Sequence, residues 1–535
     1  MSALEPLCFS IAEEFDVEGL AATLDRLVTI VKEPPRKLEV TYLDSFDWRL
    51  FEQGTVLEAE RGQGGSLLLW RRLDDSQELA RLGGPDAPRF MTDLPRGPLR
   101  ERLEPIVEMR ALLPLVTVRR IAQGFRVLNK DEKTTLRLQI EDDSLPGRSN
   151  GKIHGLPRRL RLLPVRGYAK PFHLIARLLQ EDLGLRRIAQ DPFLDAVAET
   201  GQVAGNYSSK LRFALDPAQP SGLALRAILL HLLETMEANE AGVADDLDTE
   251  FLHDFRVAVR RTRSALTQVK RVLPAEQSEY FAKEFAWLGQ VTGPARDIDV
   301  YALKFDDYQA SVMQAFRSDL DPLRAFLGRR KSSEQKALCK ELRSDRYRRL
   351  THDWRAFLEG GEADAGPLAD APILETANRR VWRAYRRVIV DGSAIGEATP
   401  AEALHDLRKD CKKLRYLMEF FQSLYPEESI KPVIKSLKLL QENLGDFQDL
   451  EVQSDSLMGF SRDMMAEGGT PAETFVAMGV LVDGLLRRQR EARQAFAACF
   501  AAFSAKPNQA ACKALFSPEP TEPAPADEDP RQLQH

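Results

Sequence analysis

His253-Asp-Phe-Arg256-Val-Ala-Val-Arg260-Arg261-Thr-Arg263-Ser-Ala-Leu266 decides how the second half of this chain is read, because its spacing returns as His405-Asp-Leu-Arg408-Lys-Asp-Cys-Lys412-Lys413-Leu-Arg415-Tyr-Leu-Met418. The two stretches lie 152 residues apart, and the same offset separates Gly293-Pro-Ala-Arg-Asp297 from Gly445-Asp-Phe-Gln-Asp449. One register shared by two motifs some forty residues apart is what duplication of a structural unit leaves behind, and the period is too long for a solenoid. The expected product is a pseudo-two-fold pair of helical bundles, with the equivalent helix of each copy facing a common surface.

At about 100° per residue, His253, Arg256, Arg260 and Arg263 fall within an arc of about 80°, and Leu252, Phe255, Val259, Thr262 and Leu266 take the other side. In the second copy His405, Arg408, Lys412 and Arg415 line one face, and Leu407, Cys411, Leu414, Met418 and Phe421 the other. Arg261 and Lys413 flank the stripes. Like charges at such spacing repel, each pair costing a few tenths of a kcal/mol in an isolated helix, so a stripe built twice at matched positions points to a ligand of regularly spaced negative charge. Arginine offers planar forks suited to phosphate oxygens, lysine a point charge, and histidine a donor in either protonation state. A rise of about 1.5 Å per residue makes each stripe some 15 Å long. Arg379 and Arg383 add cations from another helix, while the stretch from Lys336 to Arg349 reads as a solvated face. The two Gly-x-x-x-Asp elements read as helix ends or kinks in which Asp297 and Asp449 brace a basic side chain.

Outward from these motifs, residues 221–513 carry 3.6-residue apolar periodicity broken by short turns and read as an all-helical domain of two repeats, about 221–372 and 373–513. Residues 201–220, rich in Gly, Ser, Asn and Pro, read as a linker. Residues 1–200 mix strands, such as Lys37–Leu43, Gly65–Trp70 and Thr134–Ile140, with helices expected at Val17–Val31 and Pro171–Leu183, giving an α+β domain. Residues 514–535 form a Pro-rich, acidic tail expected to be disordered.

Composition is that of a globular protein, and no apolar run suffices to span a bilayer, so no membrane partner is expected and the protein is placed in the cytoplasm. The cysteines Cys8, Cys339, Cys411, Cys499 and Cys512 form no CxxC pair, which argues against a zinc site or a disulfide framework. Asp254 and Asp406 point about 100° away from the motif histidines on the helix, so no metal ligand set forms there and no cofactor is expected. The net charge of -6 does not exclude a polyanion, because clustered cations set the local field.

The paired His-x-x-Arg motifs and the Gly-x-x-x-Asp elements that follow them resemble the CHAD domain, the conserved histidine α-helical domain, over about 290 residues. The resemblance implies a pseudo-symmetric bundle with a basic central surface, binding of inorganic polyphosphate, residence on polyphosphate granules with other granule proteins as partners, and no enzymatic activity. The polyphosphate-binding residues it marks are His253, Arg256, Arg260, Arg261, Arg263, His405, Arg408, Lys412, Lys413 and Arg415, with Arg379 and Arg383 beside them. The first domain, through Tyr42-Leu-Asp44-Ser-Phe-Asp47-Trp-Arg49-Leu-Phe-Glu-Gln-Gly54, is similar to the CYTH family of antiparallel, β-rich triphosphate tunnel enzymes. Where that family carries a Glu-x-Glu-x-Lys signature, this chain reads Leu7-Cys8-Phe9-Ser10-Ile11, and Leu57-Glu58-Ala59-Glu60 stands where tunnel arginines are expected. Without paired carboxylates to hold Mg²⁺, hydrolysis of a triphosphate lacks its metal, and the domain reads as degenerate, with no catalytic residue; Arg119, Arg120, Arg126 and Arg137 remain as basic residues. The expected function is non-enzymatic polyphosphate binding. The alternatives are a metal-dependent triphosphatase or polyphosphatase and a nucleic-acid binder, the latter ranked lower because the basic helices lack interleaved aromatics.

Overall fold

The computed structural model describes residues 4–84, 86–146, 154–211, 214–360 and 365–517, which divide into two compact units with the boundary between Ser208 and Ser209.

The first unit is built on one 11-stranded sheet. Its strands are β1 (Leu7–Ser10), β2 (Thr29–Lys32), β3 (Arg36–Asp44), β4 (Thr55–Gly62), β5 (Gly65–Arg72), β6 (Glu78–Gly83), β7 (Leu113–Leu128), β8 (Thr134–Leu145), β9 (His154–Gly155), β10 (Arg159–Pro164) and β11 (Arg186–Arg187). Nine of them run in the order β11-β1-β10-β8-β7-β3-β4-β5-β6, β2 pairs with β7 and β9 with β8 off this path, and every pairing among the described residues is antiparallel. Helices α1 (Val17–Asp25), α2 (Arg49–Glu52), α3 (Pro98–Val107), α4 (Ala169–Arg177) and α5 (Pro192–Glu199) cover it. The helix expected over Val17–Val31 stops at Asp25, and Thr29, Ile30 and Val31 pair with β7 as β2. Three consecutive β-branched residues favour a pleated edge over a further helical turn.

Alternation in β3 and β4 sends Leu43 and Leu57 to one apolar cluster and Val40, Tyr42 and Val56 to another. The second face also buries charge. Arg71 lies 2.5 Å from Glu58 Oε1 and grips Asp191, the N-cap of α5, with both Nη atoms; Arg120 donates to both Asp143 oxygens at 2.8 Å and to the Tyr42 hydroxyl at 3.0 Å. Burial acts against the Arg71 and Arg120 charges, but the carboxylates around them hold both firmly protonated. Arg120, one of the basic residues named from sequence, is therefore spent internally, and Arg126 and Arg137 both lean on Glu33.

The second unit is helical: α6 (Ser221–Ala244), α7 (Thr249–Gln268), α8 (Ala275–Val291), α9 (Gly293–Leu303), α10 (Phe305–Ser311), α11 (Asp321–Leu342), α12 (Asp345–Glu359), α13 (Ile373–Ser393), α14 (Ala401–Phe421), α15 (Glu427–Glu467), α16 (Ala472–Phe503) and α17 (Lys506–Phe516). Helices α6 and α13 start at 221 and 373, α7 and α14 at 249 and 401, α8 and α15 at 275 and 427, each pair 152 residues apart. Proline punctuates the same places: Pro220 and Pro372 precede α6 and α13, Pro274 and Pro426 precede α8 and α15, and a fixed φ with no N–H suits a helix entrance.

The repeats meet about a local two-fold. Ser221 donates its N–H to Ala371 at 2.9 Å while Ile373 donates to Gln219 at 2.9 Å, and Pro220 bridges Pro372 antiparallel. Each partner sits 152 residues from its counterpart, so the contact is isologous, as across a dimer interface. Helices α7 and α14 also pack on one another. Their apolar faces are core as expected: Phe255, Val259 and Thr262, and Cys411, Leu414 and Met418, are all essentially inaccessible.

The repeats differ at the Gly-x-x-x-Asp element. In the first, α8 ends and α9 begins at Gly293, as a helix-end reading predicts; in the second, Gly445 lies inside the 41-residue α15. Pro294 cannot donate into the preceding turn and forces a new start, whereas Asp446 continues the ladder. The residues read as a linker also carry anchors. Asn206 accepts from Trp48 Nε1 at 3.1 Å within the first unit, and Leu211 and Leu215 are buried within the second. Of the tail expected from 514, residues 514–516 complete α17, whose Phe516 is fully buried, and 518–535 lie outside the described residues.

Candidate functional site

Arg260 and Lys412 occupy equivalent positions of α7 and α14, which pack on one another, and the Arg260 charge is felt at Lys412. Arg408 and Arg415 act on the same ammonium from their own helix. Burial, reinforced by Arg408 and Arg260 and only partly opposed by Asp449, pulls Lys412 down to about 8. Arg256 sits in the same field. Burial first, then the neighbouring Arg260, lowers its guanidinium to about 10. Among the described residues Arg256, Arg260, Arg263 and Lys412 make no ion pair. Concentrated positive charge without countercharge is unfavourable in the free protein and is what an anionic ligand relieves.

The Gly-x-x-x-Asp elements explain how the inner arginines are held. A Cβ on Gly293 would lie 3.7 Å from Arg256 Nη1, and one on Gly445 would lie 3.6 Å from Arg408 Nη2. In both repeats, then, a guanidinium lies over the bare glycine, with the aspartate one turn further along. Arg408 donates to Asp449 at 2.9 Å and to Gln448 at 2.7 Å. Arg256 instead donates to neutral groups, the Gly289 carbonyl at 3.1 Å and the Thr292 hydroxyl at 2.8 Å, while Asp297 acts on it only through its charge. The bracing expected of the aspartates is direct in the second repeat and more remote in the first.

The motif histidines have different neighbours. His405 Nε2 lies 2.7 Å from Glu451 Oε2, and its ring packs near Phe447. His253 Nδ1 lies 3.0 Å from Nη2 of Arg296, a residue that also donates to the Thr249 carbonyl. Sequence reasoning passed over Arg296 because its equivalent is Gln448, and a search for matched positions discards what differs. Among the described residues no group of three or more His, Cys, Asp or Glu side chains is arranged to hold a metal.

Four residues named from sequence stand apart from the central cluster. Arg261 ties the repeats together, donating to the Ser209 carbonyl at 2.9 Å and to Glu419 of α14 at 3.0 Å. Lys413 pairs with Asp410 at 2.9 Å, an acid that Arg387 of α13 also reaches. Arg379 and Arg383 are exposed on α13, and neither is among the leading charges acting on Arg256 or Lys412. Helical phase explains the first pair: Arg261 and Lys413 lie about 100° round from Arg260 and Lys412, toward neighbouring helices.

Residues 227–458, spanning both motif helices and both Gly-x-x-x-Asp elements, match the family described as the CHAD domain. The second unit contains a CHAD domain. Two uncharacterized proteins of Mycobacterium tuberculosis, from strains CDC 1551 and H37Rv, are each 26% identical over 281 residues, 50% of this chain and 53% of theirs. The chain thus spans about half the length of the curated relatives it matches. The crystal structure of the CHAD domain from the plant Ricinus communis is similar at 27% identity and a TM-score of 0.46, covering 55% of this chain and 96% of that one. A putative adenylate cyclase from Bacillus halodurans is 8% identical with a TM-score of 0.25, covering 35% of this chain and 94% of that one. No helix among the described residues is long and apolar enough to cross a membrane.

Proposed function

We propose that the CHAD domain binds inorganic polyphosphate without hydrolysing it, and that through this binding the protein associates with polyphosphate granules in the cytoplasm. The observation that carries the reading is the basic surface where α7 packs on α14, with Arg260 acting on Lys412, Arg408 and Arg415 beside Lys412, Arg256 in the field of Arg260, and, among the described residues, no carboxylate paired to Arg256, Arg260 or Lys412. A chain of regularly spaced anions relieves that repulsion along its whole length, which a single phosphate cannot do. The first unit supports a binder over an enzyme. Strand β1 presents Leu7, Cys8, Phe9 and Ser10, and the buried sheet arginines Arg71, Arg120 and Arg159 are paired with Glu58, Asp191, Asp143 and Asp195, so among the described residues these three are spent internally and no metal-holding group of carboxylates is present for a triphosphate.

The test is titration of the full chain with long-chain polyphosphate, with the double variant Arg260→Glu and Lys412→Glu beside it. Binding should be lost in the variant and should weaken steeply with salt in the parent, by analogy with the slope of roughly 0.7 per neutralised phosphate in single-stranded nucleic acid. Unchanged affinity in the variant removes the proposal. Preference for RNA or DNA at equal charge would replace polyphosphate by nucleic acid, and metal-dependent phosphate release from tripolyphosphate, lost when residues 1–200 are deleted, would restore the hydrolase.

A further inference from the structure

The cations of the two stripes match, but residues beside them differ. Position by position, 152 residues apart, Asp410 corresponds to Ala258, Glu419 to Thr267, and Gln448 to Arg296. Each difference makes the first repeat more positive. In the second repeat the acids are engaged with the stripe or its flank: Glu419, which also accepts from Arg261 of the first repeat at 3.0 Å, lies 3.4 Å from Arg415, Asp410 binds Lys413, Asp449 binds Arg408 and Glu451 meets His405. In the first repeat the counterpart of Glu451, Asp299, is drawn away to Lys331 at 3.2 Å. Asp297 stays beside Arg256 without pairing to it, and the nearest acid to Arg296 is Glu250 at 3.8 Å. Arg260 and Arg263 are exposed and, among the described residues, free of ion pairs.

An anion arriving at Arg415 must compete with Glu419, whereas at Arg263 it meets an unopposed charge. Coulomb attraction at the surface is modest and easily offset by one neighbouring carboxylate. We infer that the pseudo-symmetric site grips its polyanion unequally: the first repeat, through Arg260 and Arg263, supplies most of the affinity, and the acids at 410, 419 and 449 keep the second repeat as a weaker extension. Lys412, which has no carboxylate of its own, joins the strong half at the two-fold. This rests on the polyanion reading above and adds to it the residues that set its polarity, the absent carboxylates at Ala258 and Thr267.

Equivalent substitutions test it in the full chain, with long-chain inorganic polyphosphate as probe. Arg263→Gln should weaken binding about tenfold and flatten the salt slope by about 0.7. Arg415→Gln should weaken it by no more than about twofold. The decisive variant transplants the missing acid: Thr267 is exposed, and Thr267→Glu places a carboxylate one turn after Arg263 as Glu419 stands after Arg415. It should cost about fivefold in affinity, with Thr267→Gln unchanged. Parent binding with equal losses at Arg263 and Arg415, or indifference to Thr267→Glu, overturns the polarity and leaves polyphosphate binding standing. A parent that does not bind removes both.

Discussion

Lys412→Met should make the protein more stable and a poorer binder at once. Methionine keeps the aliphatic stem and deletes the ammonium that burial, Arg408 and Arg260 destabilise. The fall from 10.5 to about 8 corresponds to at most about 3.4 kcal/mol at about 1.36 kcal/mol per pH unit. Lys412 is half-buried and solvent screens part of this, so about 1–2 kcal/mol is expected. The sign follows from linkage: the folded chain releases this proton more readily than the unfolded one, so between about pH 8 and 10.5 the unfolded state binds more protons and parent stability rises with pH. The advantage of Lys412→Met should be full below pH 8 and fade to nothing by about pH 10.5. Urea unfolding of parent and variant, followed by circular dichroism from pH 7 to 10.5, measures the gap. Saturating polyphosphate should reverse its sign, because the parent gains more from the ligand. A variant equal to or less stable than the parent at pH 7, or a gap that ignores pH, refutes the strained-cation account.

The same lysine should take up a proton when polyphosphate binds near pH 8.5, seen as a buffer-dependent binding enthalpy that vanishes below pH 7 and in Lys412→Met. Gly445→Ala should leave binding unchanged and stabilise the long helix by about 0.5–1 kcal/mol in chemical unfolding, since the new methyl lies at van der Waals distance from Arg408; Gly445→Leu should displace that guanidinium and weaken binding several-fold. Arg71→Met should destabilise the first unit by about 3–5 kcal/mol, because Asp191 loses its buried ionic partner and Glu58 keeps only the more distant Arg120 at 3.8 Å, while polyphosphate affinity stays within twofold.

The sequence by itself determined the duplication and the two faces of each motif helix. Register and helical phase are local properties, and a fixed offset of 152 survives any packing; Phe255 and Cys411 are core, and Arg260 and Lys412 are not, because a 3.6-residue period leaves no other choice. The strands at Lys37–Leu43, Gly65–Trp70 and Thr134–Ile140 were legible for the same reason, and β2 was lost to a helix only because its four residues are too few to show a period. Tertiary structure alone decided which cations are available. Whether Arg261 serves a ligand or Glu419, and whether Arg120 is free or spent on Asp143, depend on acids that arrive from other helices or strands, whereas the Glu419 that opposes Arg415 stands one turn along the same helix and is legible in the sequence. Charge pairing falls off over a few ångströms, a distance along which sequence separation carries no information until the chain has folded.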